Sequence, residues 1–252
     1  NTEVAMRWLA PRCGNAIAIS SRLERHFAAA GCRTVRIPPT LDVSAIDGPC
    51  RHRLATEPLT LSYAGTPGHK ERLGPLLCAL ERLSSPCLRL KIAGIDTDGL
   101  MALRDVRALG LARLPPGVEV LGKLGHADAL SLTRGADFSV LLRPKARFAE
   151  AGFPTKAVES LAAGTPVFGN LTSDLGDHLV DMRSAVLVKE ISVDGILAAL
   201  HRLLALPTEA LNAMRLTARE TAVTAFDYRN YVAALDAFVC GLRPGLEPRL
   251  AR

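Results

Sequence analysis

Gly152-Phe153-Pro154-Thr155-Lys156-Ala157-Val158-Glu159-Ser160-Leu161-Ala162-Ala163-Gly164-Thr165-Pro166-Val167 is the stretch whose reading decides the fold. It predicts a loop, a short helix over 154–163, a tight turn at Gly164 and the start of a buried strand at Pro166-Val167-Phe168. Pro154 suits a first helical turn, where its missing N–H costs nothing. Val158 and Leu161, three apart, face a core. Lys156 and Glu159, also three apart, share another face near the helix start. A carboxylate in an otherwise apolar helix, beside a lysine and a helix N-terminus, is poorly suited to a core. It is well suited to a phosphate and a pair of hydroxyls.

Outward from this stretch, strands alternate with helices. Leu59-Thr60-Leu61-Ser62-Tyr63-Ala64 is a strand ended by Gly65, and a helix over 71–83 follows with Leu73, Leu76, Leu77, Leu80 and Leu83 on one stripe. Strands are expected at 88–93, 118–121, 138–142, 166–168 and 184–188. Helices are expected at 98–112, 127–134, 192–204 and 207–224, with one helical turn over 177–181. The fold class is therefore α/β: a Rossmann-like parallel sheet with helices on both faces. In such sheets ligands bind outside the carboxyl ends of the strands, so the loops at 65–70, 94–97, 122–126, 143–153 and 169–174 share the functional edge.

Before this series, residues 16–19, 20–30 and 34–37 read as strand, helix, strand, with Ser20 or Ser21 as the cap and Gly31 as the stop. Residues 1–46 are too short for an α/β domain of their own and read as the end of a similar sheet, its earlier strands lying outside this chain. Residues 47–58 are a linker, residues 59–225 the complete unit, and residues 226–252 a crossover segment whose helix, 228–239, reaches back toward the first piece.

Composition narrows the function classes. The 252 residues are 48% hydrophobic and only 4% aromatic, so the core is built from Ala, Leu and Val. The net charge of +6 suits an anionic small molecule or membrane surface, and equally a merely arginine-rich protein. No apolar window reaches the length of a membrane span. The chain begins with Asn1 and no leader pattern, which is expected of a processed chain or an excerpt. Cys13, Cys32, Cys50, Cys78, Cys87 and Cys240 form no CxxC pair and are expected to be buried reduced thiols. No basic patch interleaved with aromatics points to nucleic acid, and no acidic spacing points to a metal.

Each candidate residue has an ordinary reading beside its functional one. Glu159 either accepts hydrogen bonds from both hydroxyls of a ribose or is a solvated helix glutamate. Lys156, with the amides of residues 153–156, either receives a diphosphate or is a surface lysine. Arg143, directly after a buried strand, is a second cation at the strand ends. Gly65-Thr66-Pro67-Gly68-His69-Lys70 is neither a P-loop nor a GxGxxG motif; it either brings amides and Lys70 to an anion or is a plain turn. Glu150 bonds a sugar hydroxyl or is solvated. His69 and His126 lie in loops at the same edge without a placed carboxylate partner, so neither is assigned proton chemistry. Asp174 and Asp177 lie near that edge as well.

Taken in order, these segments resemble the nucleotide-sugar-binding half of retaining GT-B glycosyltransferases, the family called glycosyl transferases group 1. Val35-Arg36-Ile37-Pro38-Pro39 resembles the end of the acceptor-side domain, with Pro39 in place of the usual Asn and Asp42 following. Tyr63-Ala64-Gly65 with Lys70 resembles the family's first glycine loop and phosphate-facing lysine. Gly152 to Val167 resembles its signature helix, with Glu159 as the ribose-binding glutamate. Phe226-Asp227-Tyr228 resembles the return to the first domain. In many members a second glutamate precedes the first-named one with seven residues between, and here that place is Ala151, with Glu150 one residue off.

The resemblance implies transfer of a sugar, with retention, from a UDP-sugar or GDP-sugar to an acceptor hydroxyl on a glycan or a lipid-linked glycan, without a cofactor or metal. It implies catalytic roles for Lys70, Lys156 and Arg143 on the leaving diphosphate. The donor is held by Gly65, Lys70, Gly152, Phe153, Pro154, Thr155, Lys156, Glu159 and Glu150. It further implies polysaccharide or glycolipid synthesis in the cytoplasm, with peripheral contact at the inner membrane face, and a missing N-terminal domain without which this chain is inactive. The rival class is a non-catalytic nucleotide-sugar-binding or assembly module; a nucleotide-sugar epimerase is a third.

Overall fold

The computed structural model describes residues 10–46, 52–68 and 70–242, with Met6 and Trp8; His69 and Cys50 lie outside the described residues. Two parallel strands, β1 (Asn15–Ala18) and β2 (Arg33–Arg36), flank helix α1 (Ser21–Ala29). Ser20 caps α1 by accepting from the Leu23 amide at 3.3 Å. The remainder runs β3 (Leu59–Ala64), α2 (Gly74–Leu83), β4 (Leu88–Ala93), α3 (Thr97–Ala102), α4 (Arg104–Ala108), β5 (Val118–Val120), α5 (His126–Gly135) and β6 (Phe138–Leu141). It continues through α6 (Arg147–Ala151), α7 (Thr155–Ala162), β7 (Val167–Gly169), β8 (Ala185–Leu187), α8 (Val193–Leu204), α9 (Thr208–Ala225) and α10 (Val232–Cys240).

The large sheet has the order β5-β4-β3-β6-β7-β8 with every pair parallel. The chain starts at β3 in the middle, winds outward through β4 and β5, then returns beside β3 as β6 and winds the other way. That reversal opens a crevice between the carboxyl ends of β3 and β6, the place where a doubly wound sheet holds its ligand. Neighbouring strand residues face opposite layers: Phe168 and Val186 pack with Leu76, Leu77 and Leu200, whereas Val167 and Ala185 pack with Val158, Leu161, Ala218 and Ala222. The expected α/β parallel sheet, covered on both faces, is the observed architecture.

The departures have local causes. The helix expected from residue 71 begins at Gly74, because the Arg72 amide donates to the Leu142 carbonyl at 2.8 Å and ties the preceding segment to the exit of β6. The helix expected over 98–112 is two, broken at Leu103, whose φ of −57° and ψ of 138° leave the helical region. The 143–153 loop contains α6. Pro154 stands just outside α7, with ψ of 107°, and not inside its first turn. The turn expected at 177–181 is a 3₁₀ turn at Ser173–Asp177, and the last helix is a 3₁₀ turn at Tyr228–Tyr231 followed by α10. Cys13 and Cys87 are exposed, against the expectation of buried thiols, while Cys32 is buried.

Several contacts join the first piece to the rest, two of them at β1–α1 and β2. The Ser21 amide and hydroxyl both donate to Asp174 at 2.6 Å. Arg33 lies over the Phe238 ring of α10, 5.0 Å from its centroid, and donates to the Ala237 carbonyl at 3.3 Å. Residues 52–58 are anchored as well: Arg53 pairs with Asp137 at 3.1 Å, and both are buried.

Candidate functional site

The crevice between β3 and β6 holds two cavities that meet at Thr66 and Lys156. The smaller, about 290 Å³, is lined by Thr66, Lys70, Glu71, Arg143 and the segment 153–156. The larger, about 430 Å³, lies on the β4 and β5 side and includes Gly65, Gly94, Lys123, His126, Lys156 and Glu159. Its walls are otherwise mostly small and apolar: Ala64, Ala93, Leu124, Ala129 and Leu130.

Backbone geometry delivers each cation. Arg143 leaves β6 with its amide donating to the Asn170 side-chain oxygen at 2.8 Å and its carbonyl accepting from the Asn170 side-chain nitrogen at 2.9 Å. This clamp from the end of β7 fixes the direction in which Arg143 departs. Arg143 is only 8% exposed, and its buried Nη1 has no hydrogen-bond partner among the described residues. Such a group is costly unless something accepts from it. Burial pulls its pKa below the usual guanidinium range, with Glu71 and Glu150 pulling the other way.

Lys156 sits in the first turn of α7, and its Nζ reaches Glu71 at 2.6 Å while lying 4.0 Å from the centroid of the Tyr63 ring. Glu71 also accepts from the buried Tyr63 hydroxyl. Burial lowers the Lys156 pKa and the Glu71 carboxylate opposes that shift. Burial also holds the Tyr63 phenol far above its ordinary pKa, with the adjacent Glu71 carboxylate adding to the effect. Gly65 makes this arrangement possible. Its φ is +145°, and a Cβ there would lie 2.5 Å from both Cε and Nζ of Lys156. Gly94 is required in the same way, since its Cβ would lie 2.1 Å from the Gly65 carbonyl oxygen.

The structure brings together Gly65, Lys70, Arg143, Phe153, Pro154, Thr155, Lys156 and Glu159 along these two cavities. Phe153 is held from behind, edge-on to Phe226 and His178, with centroids 5.6 and 6.0 Å away. Glu150 and Gly152 line neither cavity; the Glu150 carboxylate instead accepts from the Ser173 amide at 3.3 Å. Asp174 faces Ser21 and Arg36. Sequence reasoning missed Glu71, which had looked like an ordinary helix-start residue, and Asn170, whose signal was only its position one residue past a strand. The smaller cavity joins three cations, Lys70, Arg143 and Lys156, and one resident carboxylate, Glu71, to amides at a helix start, a combination that attracts a polyanion. Among the described residues, no cluster of His, Cys, Asp or Glu could hold a metal ion, and no helix is long and apolar enough to cross a membrane.

Comparisons with known proteins bear on the family and the fold. Residues 58–206 match the family model described as glycosyl transferases group 1. A glycogen synthase of Mycobacterium tuberculosis (strain H37Rv) is 28% identical over 184 residues, which cover 72% of this chain and 42% of that protein. This chain therefore spans less than half the length of the curated relatives it matches. Among solved structures, sucrose-phosphate synthase from Thermosynechococcus elongatus superposes with a TM-score of 0.70 at 18% identity, over 90% of this chain and 58% of that one. Anabaena Alr3699/HepE, solved in complex with UDP and glucose, superposes with a TM-score of 0.71 at 16% identity, over 98% of this chain and 68% of that one. At these identities the likeness shows the fold.

Proposed function

The chain belongs to the glycosyl transferases group 1 family, and from that premise we propose that it binds a nucleoside-diphosphate sugar in the crevice between β3 and β6. The diphosphate occupies the smaller cavity, against Lys70, Arg143, Lys156 and the amides of residues 153–156. The ribose lies at Glu159 and the base in the apolar cleft beyond Gly65 and Gly94. The observation that carries this reading is the buried Arg143 Nη1, a charged donor without an acceptor among the described residues, beside Lys156 at the sheet's switch point. In the whole protein the sugar passes, with retention, to an acceptor hydroxyl. Lys70, Lys156 and Arg143 stabilise the charge that develops on the leaving diphosphate.

On this reading residues 1–46 end an acceptor-side domain, 47–58 link, 59–225 hold the donor, and 226–252 cross back. The exposed Ile17 and Ile19 beside β2 support a sheet that continues into another domain. The transferase needs that domain to close over the donor, so the chain alone binds without transferring. A UDP-sugar or GDP-sugar donor, a glycan or lipid-linked acceptor, and work in the cytoplasm at the inner membrane face complete the proposal.

A second reading, a non-catalytic nucleotide-sugar-binding module, is favoured by one observation. Ala151 occupies the place of the family's first glutamate, and neighbouring Glu150 is turned to the Ser173 amide. Titration calorimetry with UDP, GDP and ADP tests the shared core of both. At least one binds, and Glu159→Ala weakens it about tenfold, as loss of a charge-assisted hydrogen bond should. A folded preparation that binds none of the three sinks the assignment. Transfer by the full-length protein then separates enzyme from module.

A further inference from the structure

We propose that Glu71 is the positioning residue of the diphosphate site: its carboxylate holds Lys156 beneath Gly65 and competes with an incoming diphosphate for the same ammonium. The proposal rests on the donor-site reading above and adds to it the control of that site's affinity.

The geometry is specific. Glu71 is 8% exposed, yet it lies outside any helix and contributes no backbone cap to α2. Its side chain accepts from Tyr63 in β3 and from Lys156 in α7, so it ties a strand that edges the crevice to the helix that carries the lysine. A carboxylate this deeply buried is costly unless fully paired. Here its paired cation is one of the groups that line the smaller cavity, shared by Lys70, Arg143 and Lys156. Paired with Glu71, Lys156 is therefore preordered and largely neutralised. A diphosphate can bond Lys156 fully only by drawing it away from Glu71, or by sharing it across repulsion between like charges. Glu71 thus lowers affinity and, in return, keeps the lysine charged and aimed. For a transferase that must shed its nucleoside diphosphate after each turnover, such a resident anion favours release.

The charged and titratable groups facing Lys156 are Glu71 from the β3–α2 loop, Tyr63 from β3, Arg143 from the end of β6 and Glu159 from α7 itself. Among the described residues, removing the Glu71 charge leaves burial and Arg143 to disfavour the ammonium, opposed by Glu159. Two consequences follow for Glu71→Gln. At pH 6.5, with Lys156 released from its counter-ion, nucleoside diphosphate binds about tenfold tighter. As pH rises to 9, that affinity falls more steeply than in the unsubstituted protein, because Lys156 now loses its proton earlier.

The test is calorimetry on the whole chain between pH 6.5 and 9, using the best binder among UDP, GDP and ADP, with Glu71→Gln and Lys156→Ala beside the unsubstituted protein. Tighter binding at pH 6.5 together with the steeper alkaline decline supports the proposal. Equal or weaker binding by Glu71→Gln with an unchanged pH slope overturns it, because a carboxylate that merely braces the fold would leave the slope alone. Should Glu71→Gln fail to fold, Tyr63→Phe removes the other hydrogen bond to Glu71. It leaves the carboxylate to Lys156 alone and is expected to weaken binding about threefold; no change would then overturn the competition. The donor-site reading fails separately, when the folded, unsubstituted chain binds no nucleotide or when Lys156→Ala leaves its affinity intact.

Discussion

Gly65→Ala is the substitution that probes the crevice most sharply. The residue has φ of +145°, a region that side chains other than glycine rarely enter. Holding alanine there costs about 1–3 kcal/mol. The new methyl would also lie 2.5 Å from Cε and Nζ of Lys156, so the lysine must retreat by roughly 1 Å to reach van der Waals contact. It has little room: Nζ is bonded to Glu71 at 2.6 Å and stands over the Tyr63 ring. Displacing it forfeits about 1.5 kcal/mol, the low end for a charge-assisted bond because the Lys156 side chain is still 25% exposed. The sum is a destabilisation of about 3 kcal/mol, a fall of roughly 6–12 °C in Tm for a chain of this size. Nucleotide affinity falls about tenfold with it. Thermal melts and calorimetry on Gly65→Ala, Lys156→Ala and the double variant separate the two causes. Lys156→Ala removes the obstruction but not the backbone strain, so the double variant should be more stable than the sum of the singles by about 1 kcal/mol. Strict additivity, or a Gly65→Ala protein that melts and binds like the parent, would refute this account of how Lys156 is placed.

Further substitutions test the frame around the site. Arg53→Met strips the cation from Asp137, a carboxylate 2% exposed, and should cost about 3–5 kcal/mol in urea unfolding while Asp137→Asn in the same background recovers part of it. Ser20→Ala removes both the α1 cap and the bond to the Ala151 carbonyl at 2.6 Å; a loss of about 1–2 kcal/mol is expected in the same assay. Asp42 is drawn from 3.8 to about 2 by its hydrogen bonds to Ser44 and Arg229, and Asp227 is lowered by the Arg229 amide and guanidinium. Both folded pKa values are depressed, so their contribution is present above about pH 4 and is lost as the pH falls toward 2. The Tm difference between the parent and Arg229→Met should therefore shrink over that window, and a constant difference would contradict it.

Much of the fold was legible because the strands are short apolar runs closed by glycine: Ala64-Gly65, Ala93-Gly94 and Leu121-Gly122 each mark a carboxyl end of the sheet. Their parallel order follows from the helices between them. The helix break at Leu103 was not legible, since leucine is a good helix former and the cause is tertiary. Nor was α6, a single short stretch after Pro144. At the site, Lys156, Glu159 and Arg143 could be found because a charged residue beside a buried strand or in an apolar helix is locally anomalous. Glu71 and Asn170 could not. A glutamate after Lys70 looks like ordinary surface sequence until β3 and α7 close around it, and the clamp that Asn170 makes on Arg143 joins two strands that only the folded sheet sets side by side. Local pattern carries the elements; long-range pairing carries the electrostatics.

A crystal structure of the chain soaked in millimolar concentrations of its best-binding nucleoside diphosphate tests the central claim most directly. The account predicts diphosphate density between Thr66 and the start of α7, with Arg143 Nη1 within hydrogen-bond distance of a phosphate oxygen and both ribose hydroxyls on Glu159. Nucleotide density elsewhere on the molecule, or an Arg143 that stays without an acceptor while nucleotide is bound, would contradict it.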